Sequence, residues 1–68
     1  MSTVNSSMIK TVDYNESNQE LNVVFKNDVA YNYLGVPKEE FTGLLDSPSK
    51  GRYMKEHIIN SFKHVRLT

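Results

Sequence analysis

The chain has 68 residues, no cysteine, and equal numbers of acidic and basic side chains, so disulfide frameworks and thiolate chemistry are excluded. A chain of this length forms one domain, close to the lower limit for an unaided hydrophobic core. It has no apolar run of the roughly 18 residues that span a bilayer, and its first residues lack the basic and apolar segments of a signal peptide. The sequence therefore predicts an intracellular, cytoplasmic protein.

The N-terminal part reads as a tail followed by a strand. Residues 1–6 are small and polar and predict a disordered tail, so the domain is expected to span residues 7–68. Residues 7–14 are rich in β-branched side chains, but Ile9 breaks the alternation of the other apolar residues. A β-bulge near Lys10-Thr11 would explain this break. A polar turn is predicted at residues 15–19.

The next two strands, residues 20–25 and 29–34, predict a hairpin whose register depends on its loop. A two-residue turn at Asn27-Asp28 would pair Lys26 with Val29 and mix apolar and polar residues on each face. A three-residue loop, 26–28, pairs Phe25 with Val29 instead and brings the large apolar side chains to one face, which favours this register. It requires Asp28 to adopt the left-handed conformation.

Helical spacing begins after Gly35. Residues 37–46 predict a helix with Pro37 in its first turn and an apolar stripe at Phe41, Leu44 and Leu45. Residues 49–60 predict a second helix, and residues 61–68 are compatible with an extended segment or a short edge strand. The expected fold class is α+β, a three-stranded antiparallel meander followed by two short helices, with a short C-terminal edge strand as an option.

The predicted core follows from these periods. Its members are Val23, Phe25, Tyr31, Tyr33, Phe41, Leu44, Met54 and Ile58. Tyr31 and Tyr33 also suit the stacking of nucleic-acid bases on an open sheet. Since they share the face that the helices should cover, core positions with hydroxyls reaching the rim are the favoured interpretation.

Three motifs in this order resemble the KTSC domain family: Tyr31-Asn32-Tyr33, Val36-Pro37, and the run 49–53, Ser-Lys-Gly-Arg-Tyr. The resemblance extends from about Ser7 to Leu67. The family is named for the C terminus of some lysyl-tRNA synthetases and also occurs as short stand-alone proteins of bacteria and phages. It implies a small domain for which RNA binding has been suggested from that association. Two residues depart from the family pattern. Asp28 stands where such hairpins often have glycine, and Met54 stands where a second aromatic residue is expected.

The residues themselves predict no catalytic site. His57 and His64 have no acidic residue at the spacing of a metal site with a general base. Ser47 and Ser49 flank Pro48 and are better explained as helix caps than as nucleophiles. We therefore expect a non-catalytic protein without a metal ion or cofactor.

The charges are distributed unevenly along the chain. Residues 1–46 contain three lysines and seven acids, whereas residues 47–68 contain five lysines and arginines and one acid. The second helix start, with free N–H groups and room at Gly51, is a candidate phosphate site. The predicted nucleic-acid-binding residues are Lys50, Gly51, Arg52, Tyr53, Lys55, Lys63 and Arg66. On this interpretation, replacing Lys50 and Arg52 with glutamate abolishes binding to a tRNA-like RNA.

Three alternatives stay open from the sequence. The opposite charges of the two segments also suit mutual attraction within one fold, and the helix start also suits an ordinary solvated surface. The chain is equally compatible with a protein-interaction module that docks an edge strand or a surface patch onto an unidentified protein.

Overall fold

The fold is a single antiparallel sheet with helices on one face, seen here in a computed structural model that describes residues 2–3 and 8–67. The strands are β1 (Ser2–Thr3), β2 (Ile9–Asn15), β3 (Glu20–Phe25), β4 (Ala30–Tyr33) and β5 (His64–Arg66). The helices are α1 (Lys38–Asp46) and α2 (Lys50–Tyr53), and α2 continues into a π-helical turn at Met54–Ile58. The strands lie in chain order across the sheet. The predicted α+β meander with two helices is confirmed, and the C-terminal segment forms the edge strand β5.

At the N terminus the structure differs from the predicted tail. Ser2 pairs with Val12 and Thr3 with Thr11, so β1 is a two-residue strand. The side of β2 that faces away from β3 offers backbone groups for this pairing, which composition alone does not reveal. The other residues of the predicted 1–6 tail lie outside the described residues.

The β3–β4 hairpin has the register of the three-residue loop. The N–H of Phe25 donates to the carbonyl of Val29 at 3.0 Å, and the N–H of Asp28 donates to the carbonyl of Phe25 at 2.9 Å. Further along, Val23 pairs with Tyr31. Asp28 has a φ of 65°, the left-handed conformation that this loop requires. The predicted register is therefore confirmed.

A bulge in β2 explains its irregular apolar pattern. The pairing of β2 with β3 shifts between Ile9 and Thr11, at the predicted position. Because the extra residue reverses the alternation, Ile9 and Val12 are both fully buried although their sequence separation is odd.

The core lies between the sheet and the helices. Its buried apolar residues include Ile9, Val12, Leu21, Val23, Phe25, Tyr33, Val36, Leu44, Met54 and Ile58. Tyr31 and Phe41, predicted as core, are half-buried and pack at its margin. Tyr31 lies next to the edge strand β5, where its cross-strand partner is Arg66. Five buried apolar residues were absent from the predicted core: Ile9, Val12, Leu21, Ala30 and Val36.

Candidate nucleic-acid interface

The predicted binding residues lie in two places. The first set, called here the helix group, is Lys50, Gly51, Arg52, Tyr53 and Lys55, on α2 and the first residues of the π turn. The second set consists of Lys63, which precedes β5, and Arg66 within β5. The two sets differ in what surrounds their charges.

Two cations of the helix group already have partners on their own segment. The Arg52 Nε donates to the Glu56 Oε1 at 2.6 Å, one helical turn away. This hydrogen bond and the adjacent positive charge lower the pKa of Glu56. The Lys50 Nζ donates to the backbone carbonyl of Ser47 at 3.1 Å. Glu56 therefore offsets the charge of Arg52, whereas Lys50 keeps its charge and is anchored to the loop before α2.

The Cβ position of Gly51 points towards the protein and not towards solvent, where a phosphate would bind. A Cβ added at this position would lie 3.2 Å from the Met8 Sδ and 3.3 Å from its Cβ, closer than most real contacts. Glycine here allows α2 to approach the chain just before β2. This packing does not support the predicted role of Gly51, which was to leave room for a phosphate.

Tyr53 joins the two helices. A Cβ added at Gly43 of α1 would collide with the Tyr53 hydroxyl and lie 3.0 Å from its Cζ. The hydroxyl donates to the Glu40 Oε1 at 3.4 Å, and the His57 ring stacks on the Tyr53 ring at 4.4 Å. Desolvation, the Glu40 charge and this hydrogen bond raise the Tyr53 pKa. Tyr53 is thus half-buried between the two helices, with the His57 ring on one of its faces.

His64 and Arg66 lie on the face of the sheet that carries the tyrosines of β4, whereas the alternation of side chains along the strand puts Lys63, one residue earlier, on the other face. Tyr31 pairs with Arg66 and Tyr33 with His64, and cross-strand partners share a face. The imidazole of His64 meets the Tyr31 ring edge-on at 5.1 Å and the Tyr33 ring at 5.5 Å. Lys63, His64 and Arg66 are exposed and Tyr31 is half-buried. These four residues, Tyr31, Lys63, His64 and Arg66, are called here the edge patch.

The two tyrosines of the Tyr-x-Tyr motif have different environments. Tyr33 is only 2% exposed, and its burial, with a further contribution from Tyr31, raises its pKa. Tyr31 packs edge-on against Phe25 at 5.9 Å on one side and meets His64 on the other. Tyr33 is thus a core residue, and Tyr31 combines packing with partial exposure.

Acidic residues gather around the β2–β3 turn, and one of them, Glu20, accepts a hydrogen bond from the Asn32 side chain on β4 at 2.8 Å. A surface depression at the β2–β3 turn is lined by Asp13, Glu16 and Glu20 together with neighbouring polar residues. In the described part of the chain, no three histidine or acidic side chains come together as a metal site. No helix within residues 8–67 is long and apolar enough to cross a membrane.

The comparisons with known proteins agree with this architecture. The model of the KTSC domain family matches residues 5–62. A crystal structure of a KTSC domain protein from Yersinia pestis superposes with a TM-score of 0.93 at 30% sequence identity, covering 97% of this chain and 93% of that chain. No curated protein matches the chain. The cations of the edge patch, at residues 63–66, lie beyond the residues that the family model matches.

Proposed function

Because the chain belongs to the KTSC domain family, which by itself defines a small domain and not an activity, we propose that it is a non-catalytic binding domain whose basic C-terminal third binds RNA. The observation that supports this proposal is the edge patch, where His64 contacts the half-buried Tyr31 ring and Arg66 pairs with Tyr31 across the strands. Lys63 adds an exposed cation directly before His64. The site lies on one strand and its neighbour, so its geometry is held by the β4–β5 pairing.

The chemistry of the edge patch suits a single-stranded nucleic acid. The ammonium of Lys63 and the guanidinium of Arg66 are suited to phosphate oxygens. The imidazole of His64 and the exposed part of Tyr31 offer aromatic surface, on which a stacked base contributes about 1–3 kcal/mol. Such contacts do not depend on base identity, so the proposed binding is sequence-tolerant.

The remaining charges give the bound RNA an orientation. Asp13, Glu16 and Glu20 lie around the β2–β3 turn, and a phosphate backbone is repelled from that surface. Attraction at the edge patch and repulsion at the acidic β2–β3 turn place the RNA along the β5 edge.

Reversing the two permanent charges of the edge patch tests the proposal. The double variant Lys63→Glu/Arg66→Glu is expected to lose RNA affinity by about tenfold or more, because both phosphate contacts become repulsive. Affinity is measured by fluorescence anisotropy with a labelled single-stranded RNA at two salt concentrations. The two phosphate contacts in the parent protein give a slope of about −1.4 in a plot of log affinity against log salt.

The matched control is Lys10→Glu/Lys38→Glu, which changes the net charge by the same amount outside the edge patch. These lysines form exposed ion pairs with Asp28 and Glu16, so their loss has a small effect on folding. An equal loss of affinity in both double variants, or binding that does not depend on salt, contradicts the proposal. It would favour the protein-interaction alternative.

The helix group provides a further arm of the same experiment. Lys50→Glu/Arg52→Glu is expected to weaken binding less than the edge-patch variant, because Arg52 is already paired with Glu56. The sequence alone predicts that this substitution abolishes binding. If the Lys50→Glu/Arg52→Glu variant lost RNA binding completely while the edge-patch variant kept its affinity, the RNA site would lie at the start of α2 instead.

A further inference from the structure

The strand β5 presents two chemically different faces at the edge of the sheet. His64 and Arg66 lie on the side of the tyrosines, where the helices pack. Val65 and Leu67 point to the opposite side of the sheet and are 51% and 49% exposed. An amphipathic strand that is last in the strand order of the described residues is suited to a partner strand with the same alternation.

On the outer face, the exposed apolar side chains of β5 adjoin apolar residues of β3 and β4, with the polar Asn32 directly opposite Val65. Leu67 lies next to Ala30, since its N–H donates to the Ala30 carbonyl at 2.8 Å, and Ala30 pairs with Val24 on β3. Leu34, directly after β4, is 36% exposed. A strand added beside Val65 and Leu67 would add its own apolar residues to this surface.

The register determines which backbone groups of β5 point outward. The Lys63 carbonyl accepts from Leu34 and the Leu67 N–H donates to Ala30, so the odd-numbered residues direct their backbone groups towards β4. Because antiparallel pairing alternates along a strand, the N–H and carbonyl of His64 are directed to the open side. An incoming strand would meet these groups.

The positive charge of β5 determines which kind of strand can pair with it. The segment from Lys63 to Arg66 contains three cationic or protonatable residues and no acid. A second copy of β5 in antiparallel orientation would bring His64 and Arg66 of the two copies together, and like charges at opposed positions oppose pairing. An acidic strand experiences attraction at the same positions. We propose that β5 accepts, as an additional strand, an extended protein segment in which acidic and apolar residues alternate.

Amide hydrogen exchange with a defined peptide tests this proposal. The probe is a short synthetic peptide of alternating glutamate and valine, added to the full chain in the absence of RNA. Exchange of the His64 amide is expected to slow by about tenfold or more, because its N–H becomes hydrogen-bonded to the added strand. The Val65 amide faces β4 in the free protein, so its exchange is expected to change little.

Two control peptides separate strand addition from charge attraction. The first control is a peptide of alternating lysine and valine, which keeps the β pattern but carries positive charge. The second is the glutamate–valine peptide with alternate N-methylated amides, which keeps the negative charge but cannot donate the backbone hydrogen bonds to β5. Neither is expected to protect His64. An unchanged exchange rate at His64 with the probe peptide, or equal affinity for the N-methylated peptide, would overturn the proposal.

A chain variant separates this proposal from RNA binding. Val65→Thr keeps the β-branched shape but makes the outer face of β5 more polar, so peptide affinity is expected to fall several-fold. RNA affinity is expected to stay the same, because Val65 lies on the opposite face from His64 and Arg66. A loss of RNA affinity without a loss of peptide affinity in this variant contradicts the assignment of the two faces.

Discussion

Replacing Phe25 with alanine is expected to lower the free energy of unfolding by about 3–5 kcal/mol, since a large buried side chain is lost and a cavity remains. Phe25 is 9% exposed, and its ring meets Tyr31 edge-on at 5.9 Å. A domain of this length has a total stability of roughly 3–10 kcal/mol. The variant should therefore be largely unfolded or melt at least about 12 °C lower, as measured by circular dichroism.

The adjacent residue provides the control for this prediction. Val24 lies on the same strand but on the outer face, where it is half-buried. Val24→Ala is expected to lower the free energy of unfolding by about 1 kcal/mol. If Phe25→Ala melted within a few degrees of the parent protein, or if Val24→Ala had the larger effect, the hairpin register would be wrong.

Ile58→Ala is the second substitution expected to have a large effect, lowering the free energy of unfolding by about 2–5 kcal/mol. Ile58 is fully buried at the end of the π turn, as is Met54 at its start. The N–H of Ile59 donates to the carbonyl of Met54 at 2.7 Å, which defines the wider turn. Urea denaturation measures the loss directly through the shift in midpoint.

Ile59 is the matched control, because it has the same side chain and only partial burial. Ile59→Ala is expected to reduce the free energy of unfolding by less than half as much as Ile58→Ala. Equal effects of the two substitutions would mean that the segment after Met54 is rotated relative to the sheet.

The β3–β4 hairpin could be predicted because its determinants are local. Side chains alternate with period two, and only the three-residue loop puts Phe25, Tyr31 and Tyr33 on one face. The requirement for a left-handed residue then falls on Asp28, which has a φ of 65°. The first helix was predictable for the same reason, from the spacing of Phe41, Leu44 and Leu45. The second was predictable from Met54 and Ile58, although the part from Met54 to Ile58 is a π turn and not the regular helix predicted over residues 49–60.

The candidate site was harder to predict because its contacts join distant segments. The packing of Met8 against Gly51 and the position of His64 beside Tyr31 depend on tertiary structure. His64 was therefore missed as a site residue, although the alternation of the C-terminal segment indicated a strand. The Arg52–Glu56 pair did have a sequence signal, since residues four apart on a helix are neighbours.

Titration of unlabelled tRNA into the 15N-labelled protein at low salt tests the proposed RNA surface most directly. The largest amide shifts are expected at Tyr31 and from Lys63 to Arg66, and they should diminish as salt is added. Amides at the acidic β2–β3 turn should not respond. Shifts centred on that turn, or no shifts at any residue at low salt, would contradict RNA binding at the edge patch.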